Sequence, residues 1–179
     1  TMFNKLMSSL GVQGIQVDTR LHTTAPQAGQ AIQGEVIFKG AASNKIINGI
    51  YLKLMTTAEV ESDDAEYNSA LSIAEWHISG AFELQAHQSH AFPFSIQLPF
   101  ETPVTDVPCR INKTRVWLHT HLDVDWGLDS TDKDYLQILP TPAMQAFIQA
   151  MQQCGFQLMT VDVEKGQLRG NGFHSSIGC

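Results

Sequence analysis

Cysteine is scarce in this chain. Its 179 residues hold three, Cys109, Cys154 and Cys179, widely spread and with no C-x-x-C pair. An odd, scattered set argues for free thiols in a reducing compartment, against a disulfide frame or a cysteine zinc site. Basic residues are few as well: Lys and Arg total 11 against 18 Asp and Glu, a formal net charge of −7. With no long basic run, nucleic acid is not an expected partner, and an anionic membrane surface is disfavoured. No run of about 18 apolar residues occurs, so no integral membrane segment is expected. Residues 3–10 are too short and too polar for a secretory signal, and Thr1 reads as a cloning remnant. These features together point to a cytoplasmic protein.

What is present is alternation. In residues 115–126, Arg115, Trp117, His119, His121, Asp123 and Asp125 share one parity. Val116, Leu118, Thr120, Leu122, Val124 and Trp126 share the other. A strand sends successive side chains to opposite faces, so this is a half-buried strand with one dry and one polar face. The apolar row, Val116, Leu118, Leu122, Val124 and Trp126, is expected to form core.

Further strand patterns flank it. Residues 15–21 alternate, 26–29 read as a turn, and 31–38 alternate again up to Gly40. Residues 46–60 are long, with Ile50, Leu52 and Leu54 on one parity; 62–66 read as a charged loop. Residues 71–84 are broken by Gly80, and 90–98 hold Phe92, Phe94, Ile96 and Leu98 in one row with Pro93 marking an edge. Residues 99–109 form an irregular connection, and 134–139 a last strand. Helical spacing occurs at residues 3–10 (Phe3, Leu6, Met7, Leu10) and at 142–154, where Pro142 opens and Gly155 closes the segment. A hairpin is expected in 156–163 and from Leu168 onward, with Lys165-Gly166 as its turn. Seven or eight strands without an intervening long helix predict an antiparallel β-sandwich. The division expected is 1–139 as that sandwich, 140–155 as a connecting helix, and 156–179 as the start of a second β unit, expected to be cut short from a longer parent.

Several segments together resemble one family. They are Val17-Asp18-Thr19-Arg20-Leu21, Gly34-Glu35-Val36, residues 50–56, Pro93-Phe94-Ser95-Ile96-Gln97-Leu98-Pro99, Val116-Trp117-Leu118-His119-Thr120, Leu122-Asp123, and residues 129–135 followed by Pro140. The chain is similar, over nearly its whole length, to the SpoOM sporulation-control proteins. The resemblance implies an arrestin-like fold: a β-sandwich, a connecting helix and a second sandwich. It implies a non-enzymatic cytoplasmic regulator or scaffold acting on protein partners, and it offers no catalytic residue to carry over. Homodimers are expected, through the N-terminal helix or an exchanged C-terminal element.

Four clusters invite chemistry. His119, His121 and Asp123 fit H-x-H-x-D, and two His at i and i+2 on one strand face can reach one metal; this is the alternative reading, a metallohydrolase. The hydrolase pattern has a further His after the Asp, where Val124 stands, and no distant His or Cys set completes a site. A solvated face with cross-strand polar pairs is the weightier reading. Asp129, Asp132 and Asp134 suggest calcium, but no EF-hand spacing is present and a self-capping hairpin turn explains them. Cys109 beside Arg110, Lys113 and Arg115 suggests an activated thiol or an anion sensor, yet no His/Asp partner accompanies the thiol. Trp76 and Trp117 are the aromatics a carbohydrate-binding face would use. None of these is assigned: no catalytic, cofactor or metal residue is expected. The work of the protein is expected at edges and loops, with the long strand at 46–60 as a candidate for pairing with a partner's strand.

Overall fold

The structure is a computed structural model that describes residues 14–62, 65–165, 168–170 and 173–175. The helix expected at residues 3–10 lies outside them. Two antiparallel sheets face each other. The smaller has the order β1 (Gln16–Leu21), β2 (Ala31–Lys39), β6 (Ser89–Gln97). The larger has the order β4 (Ala65–Ser79), β3 (Lys45–Ser62), β8 (Val116–Val124), β9 (Ser130–Tyr135), with β5 (Phe82–Leu84) also on β3.

The alternating rows do what their pattern requires. Ile32, Val36 and Phe38 from β2, Ile50, Leu52 and Leu54 from β3, and Val116, Leu118 and Leu122 from β8 meet in one core. Each such side chain contributes about 1.5–3 kcal/mol by leaving water. A bulge between Ile47 and Gly49 moves β3 by one position, so odd-numbered Ile47 and even-numbered Ile50 both point inward. Gly34 sits where β2 passes under Phe94: a Cβ there would lie 2.4 Å from the Arg20 carbonyl and 2.8 Å from Phe94 Cζ. Pro93 lies on β6, which pairs only with β2 among the described strands, in keeping with its edge position.

The sheets are joined where β1 and β9 meet. Thr19 and Thr120 share a buried hydroxyl bond of 2.6 Å, and Ser130 Oγ donates to the Ile15 carbonyl. The Thr19 backbone N–H donates to Asp132 Oδ2 at 2.7 Å, so a side chain takes the place of a neighbouring strand.

The helix α1 (Pro142–Gln153) starts at an N-cap, Thr141, whose hydroxyl accepts from the Met144 N–H, and is followed by Gly155 at φ +86. No residue of α1 is buried, and Met144, Phe147 and Met151 are exposed. No described helix is long and apolar enough to cross a membrane.

Several expectations are corrected. Trp126 is not core: β8 ends at Val124, and Trp126 stands in the following turn at φ 48, 96% exposed. The last strand of the larger sheet is Ser130–Tyr135, not 134–139, so Asp132 and Asp134 are strand residues and only Asp129 is in a loop. Their turn-like composition hides an edge strand whose inward positions carry carboxylates. The strand at 46–60 is flanked by β4 and β5 on one side and β8 on the other, which leaves it little free edge. The expected charged loop is largely strand, since β3 runs to Ser62 and β4 starts at Ala65. In the C-terminal region, β10 (Thr160–Val161) runs parallel to β7 (Ile111–Asn112), and the hairpin is formed by β11 (Leu168–Gly170) and β12 (Phe173–Ser175).

Candidate functional site

The outer face of the larger sheet gathers the polar row of β8. Two cross-strand rows lie side by side. One is Glu75–Lys53–His119–Lys133, read from β4 to β9; the next is His77–Tyr51–His121–Thr131. Neighbouring strands are about 4.8 Å apart, so each row brings its side chains within mutual reach. Tyr51 and His77 stack with ring centroids 4.7 Å apart, and His121 lies tilted on the other side of Tyr51 at 6.1 Å. Lys53 Nζ meets Glu75 at 3.1 Å. Lys133 Nζ lies over Trp117 at 4.1 Å and over Tyr135 at 4.7 Å. An open hollow of about 440 Å³ is lined by Tyr51, Lys53, Met55, Glu75, His119 and His121.

His119, His121 and Asp123 do share this face, as their parity requires. They do not converge. His121 Nε2 pairs with Asp129 at 3.5 Å, and Asp123 Oδ1 accepts from Asn48 Nδ2 at 3.1 Å. His119 lies between two lysines. Its proton affinity is lowered, first by burial and then by His121, Lys53 and Lys133, with Asp132 opposing. Among the described residues no group of three His, Cys, Asp or Glu side chains is placed to hold a metal ion.

The three aspartates separate likewise. Asp129 closes the β8–β9 turn by accepting from the Val124 N–H. Asp132 and Asp134 face inward, opposite Thr120 and Leu118, with Asp18 of β1 nearby. Burial, then Asp132 and Asp18, hold the Asp134 carboxyl protonated up to about 7, and its Oδ2 is buried without a hydrogen-bond partner. Burial and Asp132 also raise Asp18, with Arg20 acting against them.

The basic group after Cys109 is spoken for in part. Lys113 lies 3.9 Å from Glu59 and 3.7 Å from Asp162, while Arg115 donates to the carbonyls of Asn112 and Thr114. Cys109 is half-buried and Cys154 exposed; neither forms a disulfide. Trp117 is buried beneath Lys133 and beside Tyr135, and Trp76 is half-buried against the core, so neither offers a flat exposed ring. Sequence reasoning missed Tyr51, Lys53, His77 and Lys133. The first two carried a signal, being the outward positions of a strand whose inward row is Ile50, Leu52 and Leu54. Which strands lie beside them was not in the pattern.

Comparison with known proteins places this architecture. The family model described as SpoOM protein matches residues 3–177. The sporulation-control protein spo0M of Bacillus subtilis (strain 168) is 32% identical over 165 residues, covering 92% of this chain and 62% of that protein. The crystal structure of Spo0M, sporulation control protein, from Bacillus subtilis superposes with a TM-score of 0.78 at 32% identity, covering 84% of this chain and 60% of that one. The chain thus spans less than two thirds of the length of these relatives. By the match along its length and by its sheet architecture, it belongs to the SpoOM family of sporulation-control proteins.

Proposed function

We propose that the chain is the first unit of a non-enzymatic regulatory scaffold, arrestin-like in plan, which controls sporulation-type processes in the cytoplasm by holding a protein partner. In this reading the residues up to 139 form one sandwich, α1 is the connector, and the residues from 156 begin a second β unit.

The observation that carries the reading is the outer edge of β4. This strand is 15 residues long and pairs with β3 alone among the described strands. Its core-side residues Leu71, Ile73, Trp76 and Ile78 are apolar yet only half-buried. Free backbone groups beside a half-covered apolar row are what an incoming strand completes. The β3–β4 pairing is irregular near Ile73 and Ile78, but the register is continuous from Ala65 to Ser72. That stretch is the natural place for a partner's strand, and a second copy of the chain supplies one form of it.

The test is affinity capture from a sporulating host with the full-length protein, wild type against a variant carrying Ala70→Lys and Ser72→Lys. Both positions are exposed, so the fold should survive while the added charges repel strand pairing. The reading requires a captured partner that the variant loses at unchanged Tm. A stoichiometric metal in protein purified without nickel, lost on His121→Ala, would instead favour the metallohydrolase.

A further inference from the structure

We propose that the turn between β8 and β9 is a recognition tip: Trp126 and Leu128 enter an apolar pocket of a partner protein whose rim carries lysines or arginines. The proposal goes beyond the β4 edge and rests only on the reading of the chain as a contact protein.

The observation is a large apolar side chain displayed where the core has no use for it. Trp126 is 96% exposed and Leu128 83% exposed. The Trp126 side chain makes no ring contact or hydrogen bond among the described residues. Its backbone lies at φ 48, in the left-handed region that a bulky side chain adopts only against its own sterics. Glycine would hold that position more easily. A strained position occupied by an exposed tryptophan is accounted for by contact with something outside the fold, and not by packing within it.

The turn is anchored at both ends while its apolar groups are held out. Before it, Val124 is buried and its N–H donates to Asp129 Oδ1 at 3.0 Å. The Asp125 N–H donates to the Ile46 carbonyl of β3 at 2.9 Å. After it, Ser130 is buried and its Oγ donates to the Ile15 carbonyl. An aromatic anchor on a fixed frame loses little freedom on binding, which is one reason tryptophan is enriched at contact hot spots.

Charge decides what receives the anchor. Asp123, Asp125 and Asp129 stand within three residues of Trp126, and no Lys or Arg occurs from 116 to 132. Asp123 accepts from the neutral amide of Asn48, and Asp129 lies beside His121. Asp125 has no side-chain partner among the described residues. Lys45 precedes Ile46 on β3, and it forms no ion pair with these aspartates among the described residues. Ile46, 43% exposed, adds apolar surface next to Asp125. An apolar anchor inside an acidic ring finds its complement in an apolar pocket with a basic rim. An anionic lipid surface and nucleic acid would both repel the same ring.

The test uses fluorescence anisotropy with labelled amphipathic helical peptides of about 14 residues, one of Leu and Lys and one of Leu and Glu. The Leu/Lys peptide should bind wild type and the Leu/Glu peptide should not. Trp126→Gly should weaken that binding at least about tenfold while leaving Tm unchanged or raised, because glycine relieves the backbone. A tryptophan kept for packing would lower Tm on removal instead. Asp125→Asn should weaken binding about threefold and flatten its salt dependence. Vesicles of phosphatidylcholine, with or without phosphatidylglycerol, should not bind. Equal binding of the two peptides overturns the proposal. So does equal affinity of wild type and Trp126→Gly for the Leu/Lys peptide, and so does vesicle binding that is lost in Trp126→Gly.

The β4 variant, Ala70→Lys with Ser72→Lys, separates the two surfaces. It should bind the Leu/Lys peptide within about twofold of wild type; loss of binding there would place the peptide on the β4 edge and overturn the tip. A partner captured by wild type and lost by the β4 variant, with no peptide binding, removes the tip and leaves the contact reading standing. Peptide binding that follows Trp126, with no partner lost by the β4 variant, supports the tip and counts against the edge.

Discussion

Asp134→Asn is the sharpest test of how the two sheets are joined. Asp134 points inward from β9, opposite Leu118, with Asp132 and Asp18 close by. Its carboxyl titrates near 7 in the folded chain against an ordinary 3.8. Because the folded value is the higher one, the folded state holds an extra proton between them. The stability this gives is complete below about pH 4 and is lost progressively as the pH rises to about 7. For a fully buried group that gap would correspond to about 4 kcal/mol. Asp134 is only partly buried, and solvent screening reduces the figure to about 2 kcal/mol. Asparagine is close in shape to the protonated acid and never ionises. The difference in Tm, variant minus wild type, should therefore grow by about 4–8 °C between about pH 4.5 and about pH 8. Taking the difference cancels His119, whose lowered proton affinity acts the other way: its contribution is present above the unfolded value of 6.5 and lost as the pH falls through it. Thermal melts followed by circular dichroism at half-unit pH steps measure this. Parallel profiles for the two proteins would show that Asp134 does not titrate in this range, and would refute the burial of its carboxyl beside Asp132 and Asp18.

Other outcomes follow from the same geometry. Leu118→Asp, which buries a charge at a fully buried position, should abolish folding, at a cost above about 4 kcal/mol. His121→Ala, which breaks only a partly exposed 3.5 Å pair, should cost no more than about 1 kcal/mol; equal losses in urea melts would mean the faces of β8 are wrongly assigned. Gly34→Val places carbon 2.4 Å from the Arg20 carbonyl and should lower stability by at least about 1–3 kcal/mol; an unchanged melt would contradict the close approach of β1, β2 and Phe94. Thr141→Ala removes the cap of α1, costing that helix about 1 kcal/mol, which hydrogen exchange should show as faster exchange in α1 and unchanged protection in β3 and β8.

Taken by itself, the sequence determined whatever depends on local periodicity. The inward rows of β2, β3 and β8 are readable because a strand alternates its side chains whatever lies beside it. The helix at 142–153 is readable because its apolar spacing, its opening proline and its closing glycine are all local to one stretch of the chain. Pro93 marks an edge because it has no N–H to give a ladder. The tertiary structure alone decided everything that depends on which strands are adjacent. That β3 is interior follows from its pairing with β8, far away in sequence, which leaves its hairpin partner β4 paired with β3 alone among the described strands. The aspartates of β9 read as a turn because no local signal distinguishes a loop carboxylate from one turned inward beside another sheet's edge. Trp126 matched the core parity but lies just past the end of β8, where a backbone at positive φ cancels the alternation. The row Glu75–Lys53–His119–Lys133 draws one residue from each of four strands. Its charges become a site only through cross-strand register, because Coulomb interaction depends on distance in space and not on spacing along the chain.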